Sequence, residues 1–189
     1  KSLGKAPLRR NLQRYKKFCG VVNGLCVNSG GVGECFAIEA VQAPQNKITG
    51  LAQECLKESF EIAYTLAGHV FEPCAQEHFH VHLGEGAVPK DGPSAGLTIL
   101  IAILSAASGI AVDSKYAMTA ELDLHGELWP VGGELAKIQA AAQSGCTTVF
   151  IPIDNMNEKV QELADTLHIE IVPVHSAYEV IERVFEGKL

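Results

Sequence analysis

The chain lacks any apolar run of the roughly 18 residues that a membrane-spanning helix requires; its longest, residues 97–107, has the length of a buried helix. No membrane partner is therefore expected. It also lacks a C-x-x-C pair: Cys19, Cys26, Cys35, Cys55, Cys74 and Cys146 are scattered, several in apolar surroundings, so reduced core cysteines of an intracellular, cytoplasmic protein are expected rather than disulfides. There is no G-x-x-x-x-G-K-[ST] phosphate loop, so any dependence on ATP has to come from outside these residues. Internal repeats and low-complexity tracts are absent too. A formal charge of −7 argues against nucleic acid as a principal partner, because phosphate binding rests on clustered Lys and Arg.

The first 17 positions contain no acidic residue, while Lys1, Lys5, Arg9, Arg10, Arg14, Lys16 and Lys17 all fall there. Three readings of this segment stay open: a solvated linker or tail of a preceding domain, a docking arm for an acidic partner, or a cleavable targeting segment. The chain begins at Lys1 rather than methionine, which points to a processed protein or a fragment. The division expected is a basic segment over residues 1–19 and one folded domain over residues 20–189.

What is present is enough for one well-filled core: 189 residues, 47% hydrophobic against 20% charged, a globular balance. After Gly20, two β-rich runs flank the glycine-rich "NSGGVG", which is hairpin grammar. Ile48, Leu51, Ala52, Cys55, Leu56, Ile62, Ala63 and Leu66 recur near helical spacing. The strand "HFHVHL" leads through "GEGAVPKDGPSAG" into an apolar helix from about Ser94 to Ser108. "YAMTAELDL" and "GELWPV" read as a second hairpin turned at His125-Gly126, and "GGELAKIQAAAQSG" as a helix between glycines. Strand, helix, strand and helix complete the chain. The fold class expected is a mixed α+β and α/β one, an N-terminal β-hairpin region followed by a sheet with packed helices.

The stretch "KDGPSAG", residues 90–96, raises a chemical question. Pro93 suits a first helical position, which would put Ser94 at an amide-rich helix end where a developing oxyanion is stabilised. A serine there can also be no more than a cap. As a nucleophile it needs a base within hydrogen-bond reach. His78, His80 and His82 alternate along one strand and share a face; Lys137 lies in the first turn of the helix after Gly132-Gly133. A helix start disfavours an ammonium by only about 0.3–1 kcal/mol. Bringing a lysine from about 10.4 to roughly 7–8 takes about 3–4 kcal/mol, so burial among apolar neighbours has to supply the rest. Spacing alone leaves the choice of base open.

Taken together, "HVHLGEGAVPKDGPSAG", "AMTAELDLHGELWPVGGELAKIQAAAQSG" and "TTVFIP" resemble the proteolytic domain of Lon proteases, in order and at compatible spacing over about residues 20–189. The resemblance implies a Ser–Lys dyad, with Ser94 as nucleophile, the Ser94 backbone amide in the oxyanion site and Lys137 as general base. Supporting roles are implied for Thr119 as a hydrogen-bond partner of the lysine, Glu121 of the same motif, Asp91 ahead of the serine, and His80 and His82 on the strand beside the cleft. For the histidines, ordering the loop without chemistry is the simpler reading. The chain departs from the family pattern at Ala120, at "GGELAK" and at His125, and its "SGGVGE" turn is looser.

The same resemblance implies unfolded polypeptides as substrates, a homo-oligomer of hexameric type, and an attached AAA+ domain that alone would bind ATP and Mg. A mitochondrial matrix location is implied if the source is eukaryotic. A stand-alone ATP-independent peptidase and an inactive interaction module of the same fold are the alternatives. Two rivals come from the residues themselves. A zinc site on the three histidines lacks a fourth ligand at suitable spacing. A cysteine hydrolase built on Cys74 or Cys35 lacks a setting that would lower the thiol pKa.

Overall fold

Turn chemistry starts the fold. β1 (Val21–Val27) and β2 (Gly33–Ala43) pair antiparallel with Val21 opposite Glu39 and Val27 opposite Gly33. Between them the Asn28 carboxamide oxygen accepts from the amides of Gly30 (2.9 Å) and Val32 (3.1 Å), a side chain standing in for backbone in a tight turn. The computed structural model describes residues 18–84 and 92–189, so the basic segment and its three readings lie outside the described residues, apart from the last two positions.

The helical periodicity seen from Ile48 resolves into two elements. Residues 47–49 form β3 (Lys47–Thr49), parallel to β4 (His78–Leu83), and α1 (Glu54–Val70) starts only afterwards. Gly50, at φ +101°, turns the chain between them with no room for a side chain, because a Cβ would strike the Leu83 carbonyl. A short α2 (Pro73–Gln76) precedes β4.

The apolar helix predicted from Ser94 begins two residues late. Pro93–Ala95 form a 3₁₀ turn and α3 runs Gly96–Ser108. Leu97, Ile99, Leu100, Ile101, Ile103 and Leu104 are all fully buried, because α3 lies between α1 and the sheet and meets solvent only in its last turn. Burying each such side chain stabilises the fold by about 1.5–3 kcal/mol. The polar residues on this helix are satisfied internally: the Ser105 hydroxyl donates to the Ile110 carbonyl (2.6 Å) and accepts from the Gly20 amide (2.8 Å).

The second predicted hairpin is smaller than its sequence suggests. Tyr116–Met118 (β5) belongs to the main sheet, parallel to β1 and to β8 (Thr148–Pro152); only β6 (Glu121–Leu122) and β7 (Leu128–Trp129) pair as a hairpin. Its turn is held by Asp123, whose carboxylate accepts from the amides of His125 and Glu127 and from the Trp129 indole. Then come α4 (Glu134–Gln143), α5 (Glu158–Leu167), β9 (Glu170–Val174) and α6 (Ala177–Phe185).

The main sheet has the order β3-β4-β2-β1-β5-β8-β9, mostly parallel with β2 antiparallel to both neighbours. Side chains of α1, α3 and α6 pack in one core, those of α4 and α5 in a second around Leu25, Val149 and Ile151. Helices thus flank the sheet on both faces, the mixed α/β class that the alternation of elements predicts. Among the described residues no helix is long and apolar enough to cross a membrane.

Candidate active site

Three parallel strands, β1, β5 and β8, end on the same edge of the sheet, the side where open α/β folds place their reactive crevices. Immediately beyond β5 the chain continues through Thr119 and Ala120 into β6. This short segment organises the site. The Ala120 amide donates to the Ser94 carbonyl (3.1 Å), the Leu97 amide approaches the Ala120 carbonyl (3.5 Å), and the Thr119 amide donates to the Phe150 carbonyl (3.2 Å). Gly96 packs so tightly that a Cβ would stand 3.0 Å from that of Leu122. The 3₁₀ turn bearing Ser94 is therefore fixed to the end of β5.

Lys137 arrives from the other face of the sheet. Two glycines bring the first turn of α4 down onto the β1–β2 hairpin. Gly133, at φ +69°, leaves room for Val27, and a Cβ on Gly33 would overlap the Ala136 carbonyl oxygen. The Lys137 amide donates to the Gly133 carbonyl, so its own backbone is already inside the helix. Its side chain is 3% exposed, and the Nζ donates to the Thr119 hydroxyl, itself fully buried, at 3.1 Å. Burial holds the ammonium pKa below the usual lysine range, against the smaller opposing pull of Cys26 and Glu134.

Ser94 and Lys137 are thus tied to adjacent residues, Ala120 and Thr119. Among the described residues no hydrogen bond runs directly from Ser94 to Lys137; Thr119 stands as the lysine's partner. A neutral amine donating one N–H to a threonine oxygen keeps its lone pair for an incoming proton. Ser94 is half-buried, and the first amides of its turn precede the first 3₁₀ bond, which the Gly96 amide makes to the Pro93 carbonyl.

The remaining candidates are dispersed. Glu121 is half-buried on β6, opposite Trp129, beside a cavity of about 680 Å³ shared with Ile62, Leu124 and Pro130. Asp91 lies outside the described residues. His80 and His82 are half-buried on β4, opposite Val41 and Glu39 of β2, and one Thr49 hydroxyl bridges them at 2.8 Å to each ring. His78 turns instead to Tyr64, its Nδ1 3.4 Å from the hydroxyl. Among the described residues no group of three metal-binding side chains converges, so the zinc reading gains nothing.

The cysteine reading fares worse. Burial pushes the Cys74 thiol up to about 12, and the neighbouring Cys146 thiol together with burial pushes Cys35 up as well. Neither would be a thiolate near neutral pH, and the thiolate is the nucleophile.

Sequence reasoning missed Gly33, Thr49 and Asn155. Glycine in a turn and a strand threonine carry no sign of the distant groups they meet. The structure makes Gly33 testable: Gly33→Ala sets a methyl group against rigid backbone and is expected to cost about 1–3 kcal/mol, whereas Gly132→Ala, which meets nothing within 4 Å, should stay within about 0.5 kcal/mol. Urea unfolding of the two variants against the wild type checks the difference.

The family described as the Lon protease (S16) C-terminal proteolytic domain matches residues 1–187. A Lon protease of Mycoplasma mobile is 39% identical over 189 aligned residues, covering 94% of this chain and 22% of that protein. A Lon protease of Clostridium beijerinckii is 41% identical over 160 residues, covering 79% and 20%. The mitochondrial Lon protease homolog of Homo sapiens is 39% identical over 157 residues, covering 74% and 16%. The chain spans about a fifth of the length of these relatives. With a family match over nearly its whole length, this chain belongs to the Lon protease (S16) C-terminal proteolytic domain family.

Proposed function

We propose that this chain is a serine endopeptidase domain that cleaves unfolded polypeptides through a Ser94–Lys137 dyad. The observation that carries this reading is the buried Lys137, its pKa held down by desolvation, hydrogen-bonded to Thr119 next to the residue that holds Ser94. The chemistry asks for no metal or cofactor here.

Neutral Lys137 takes the Ser94 hydroxyl proton as the oxygen bonds to the peptide carbonyl carbon. The carbonyl oxygen becomes an oxyanion, facing amides at the start of the 3₁₀ turn, with Ser94's among them. The C–N bond then breaks, and protonated Lys137 returns the proton to the departing amine. Water attacks the resulting ester, gives its proton to Lys137, and Ser94 leaves with that proton restored. Thr119 holds the amine in place through both halves.

The reading extends to the whole protein. Since the relatives are about five times longer, an attached AAA+ domain would bind ATP and Mg and feed substrate into a homo-oligomeric, hexameric ring in the cytoplasm or the mitochondrial matrix. A stand-alone peptidase would cleave without nucleotide. Incubation of the full-length protein with a fluorophosphonate is expected to place one adduct on Ser94 and to stop casein hydrolysis in step with labelling. An adduct elsewhere, or full labelling with casein cleavage intact, would reject the nucleophile. Casein cleavage with and without ATP separates the coupled enzyme from the stand-alone one.

A further inference from the structure

Between β7 and α4 the chain passes through Pro130, Val131, Gly132 and Gly133, and this passage decides where Lys137 begins its reach. Glycine contacts dock the first turn of α4 on one side, but two glycines without side chains of their own cannot grip the turn. The grip comes from a residue 24 positions further along. The Val131 amide donates to Asn155 Oδ1 at 2.9 Å, and Asn155 Nδ2 donates back to the Val131 carbonyl at 2.8 Å. Asn155 is 7% exposed and closes the 3₁₀ turn Ile153–Asn155 that follows β8.

We infer that Asn155 is a positioning residue for the active site: its carboxamide brackets the backbone of Val131 and thereby fixes the start of the helix that carries Lys137. This rests on the Ser94–Lys137 reading above. The ordinary explanation for an asparagine ahead of a helix, a cap, is already taken: Asn157 Oδ1 accepts from the Val160 amide and caps α5. Asn155 spends both ends of its side chain on Val131 instead. Only a primary amide offers one donor and one acceptor at this reach, so serine, aspartate and alanine each lose at least half of the bracket. The bracket also spans two elements that meet at the site. The Phe150 carbonyl of β8 holds Thr119, and the turn after β8 holds Val131, so one strand end sets both the partner of Lys137 and the origin of its helix.

The test uses Asn155→Ala and the milder Asn155→Ser in the full-length protein, with casein or a derived peptide as substrate. With the start of α4 released, Lys137 loses its fixed distance and part of its burial. Expected are a kcat lowered roughly 10- to 100-fold with KM changed less than about threefold, and an acid limb of the pH profile moved to higher pH. A residue that merely supports the fold would lower the unfolding temperature and leave kcat per folded molecule and the acid limb in place; that result would overturn the inference. So would failure of both variants to fold, which would make Asn155 part of the core rather than of the site. Lys137→Ala measured in parallel separates the two ideas. If it remains active, the dyad itself is wrong; if it is inactive while both Asn155 variants match the wild type, the bracket alone is wrong.

Discussion

Replacing Ser94 by alanine is expected to lower casein hydrolysis by at least about 10³-fold while the protein stays folded. The two halves of that expectation have separate causes. The oxygen that would carry the acyl group is gone, and with it the covalent step; what remains is binding and whatever the amides of the 3₁₀ turn stabilise. Ser94 is held through its backbone, by the Ala120 amide on its carbonyl, and alanine makes the same bond. Stability should therefore move by no more than about 0.5 kcal/mol. Thermal unfolding and progress curves on one preparation check both halves. A Ser94→Ala protein that cleaves casein at an appreciable fraction of the wild-type rate would end the assignment.

The second large effect is expected at Lys137, and its signature is the dependence on pH. In the wild type, kcat/KM should climb from the acid side through the lowered pKa of Lys137, because only the neutral amine can accept a proton from Ser94. Lys137→Ala should lose roughly 10²- to 10⁴-fold in rate near neutrality. Lys137→Arg should be inactive even at high pH, since a guanidinium does not deprotonate. If the arginine variant shows the wild-type climb, the limb belongs to another group.

Stability carries the opposite side of the same linkage. Between the lowered pKa of folded Lys137 and the ordinary lysine value, the unfolded chain holds a proton that the folded one has released, so stability rises with pH across that window. Below it both states are protonated and the full cost of burying the ammonium remains. Lys137→Met should remove this slope and raise the unfolding temperature near pH 7, a gain in stability made at the expense of activity.

How much of this was legible beforehand follows from the range of each interaction. The β1–β2 hairpin, the apolar α3 and the helix between Gly133 and Gly145 were legible because turn residues and apolar periodicity act within a few positions. Hidden were β3, whose Ile48 continues the apolar spacing of α1, and the membership of Tyr116–Met118 in the main sheet, where β1 and β8 supply the partners. Ser94 was readable as a residue near a helix start. That the start is a 3₁₀ turn fastened to Ala120 was not, since the fastening bond spans 26 positions, 120 − 94.

The candidate site divides the same way. Thr119 and Lys137 stand in recognisable motifs, yet nothing local to either one makes them neighbours; the hydrogen bond between them depends on α4 being pressed onto the sheet at Gly33 and Gly133. Asn155 had no local mark at all, because its partner is a backbone, and every residue has one.

The sequence by itself determined the family, the alternation of strands and helices, a serine and a lysine near two helix starts, and the absence here of a phosphate loop. Only the tertiary structure decided that Lys137 is buried, that Thr119 receives its amine, and that Val131 is gripped from beyond β8. The physical reason is one of distance along the chain. Propensity, capping and periodicity are written over a few residues, whereas burial and the pKa it lowers belong to surfaces that meet only once the chain has folded.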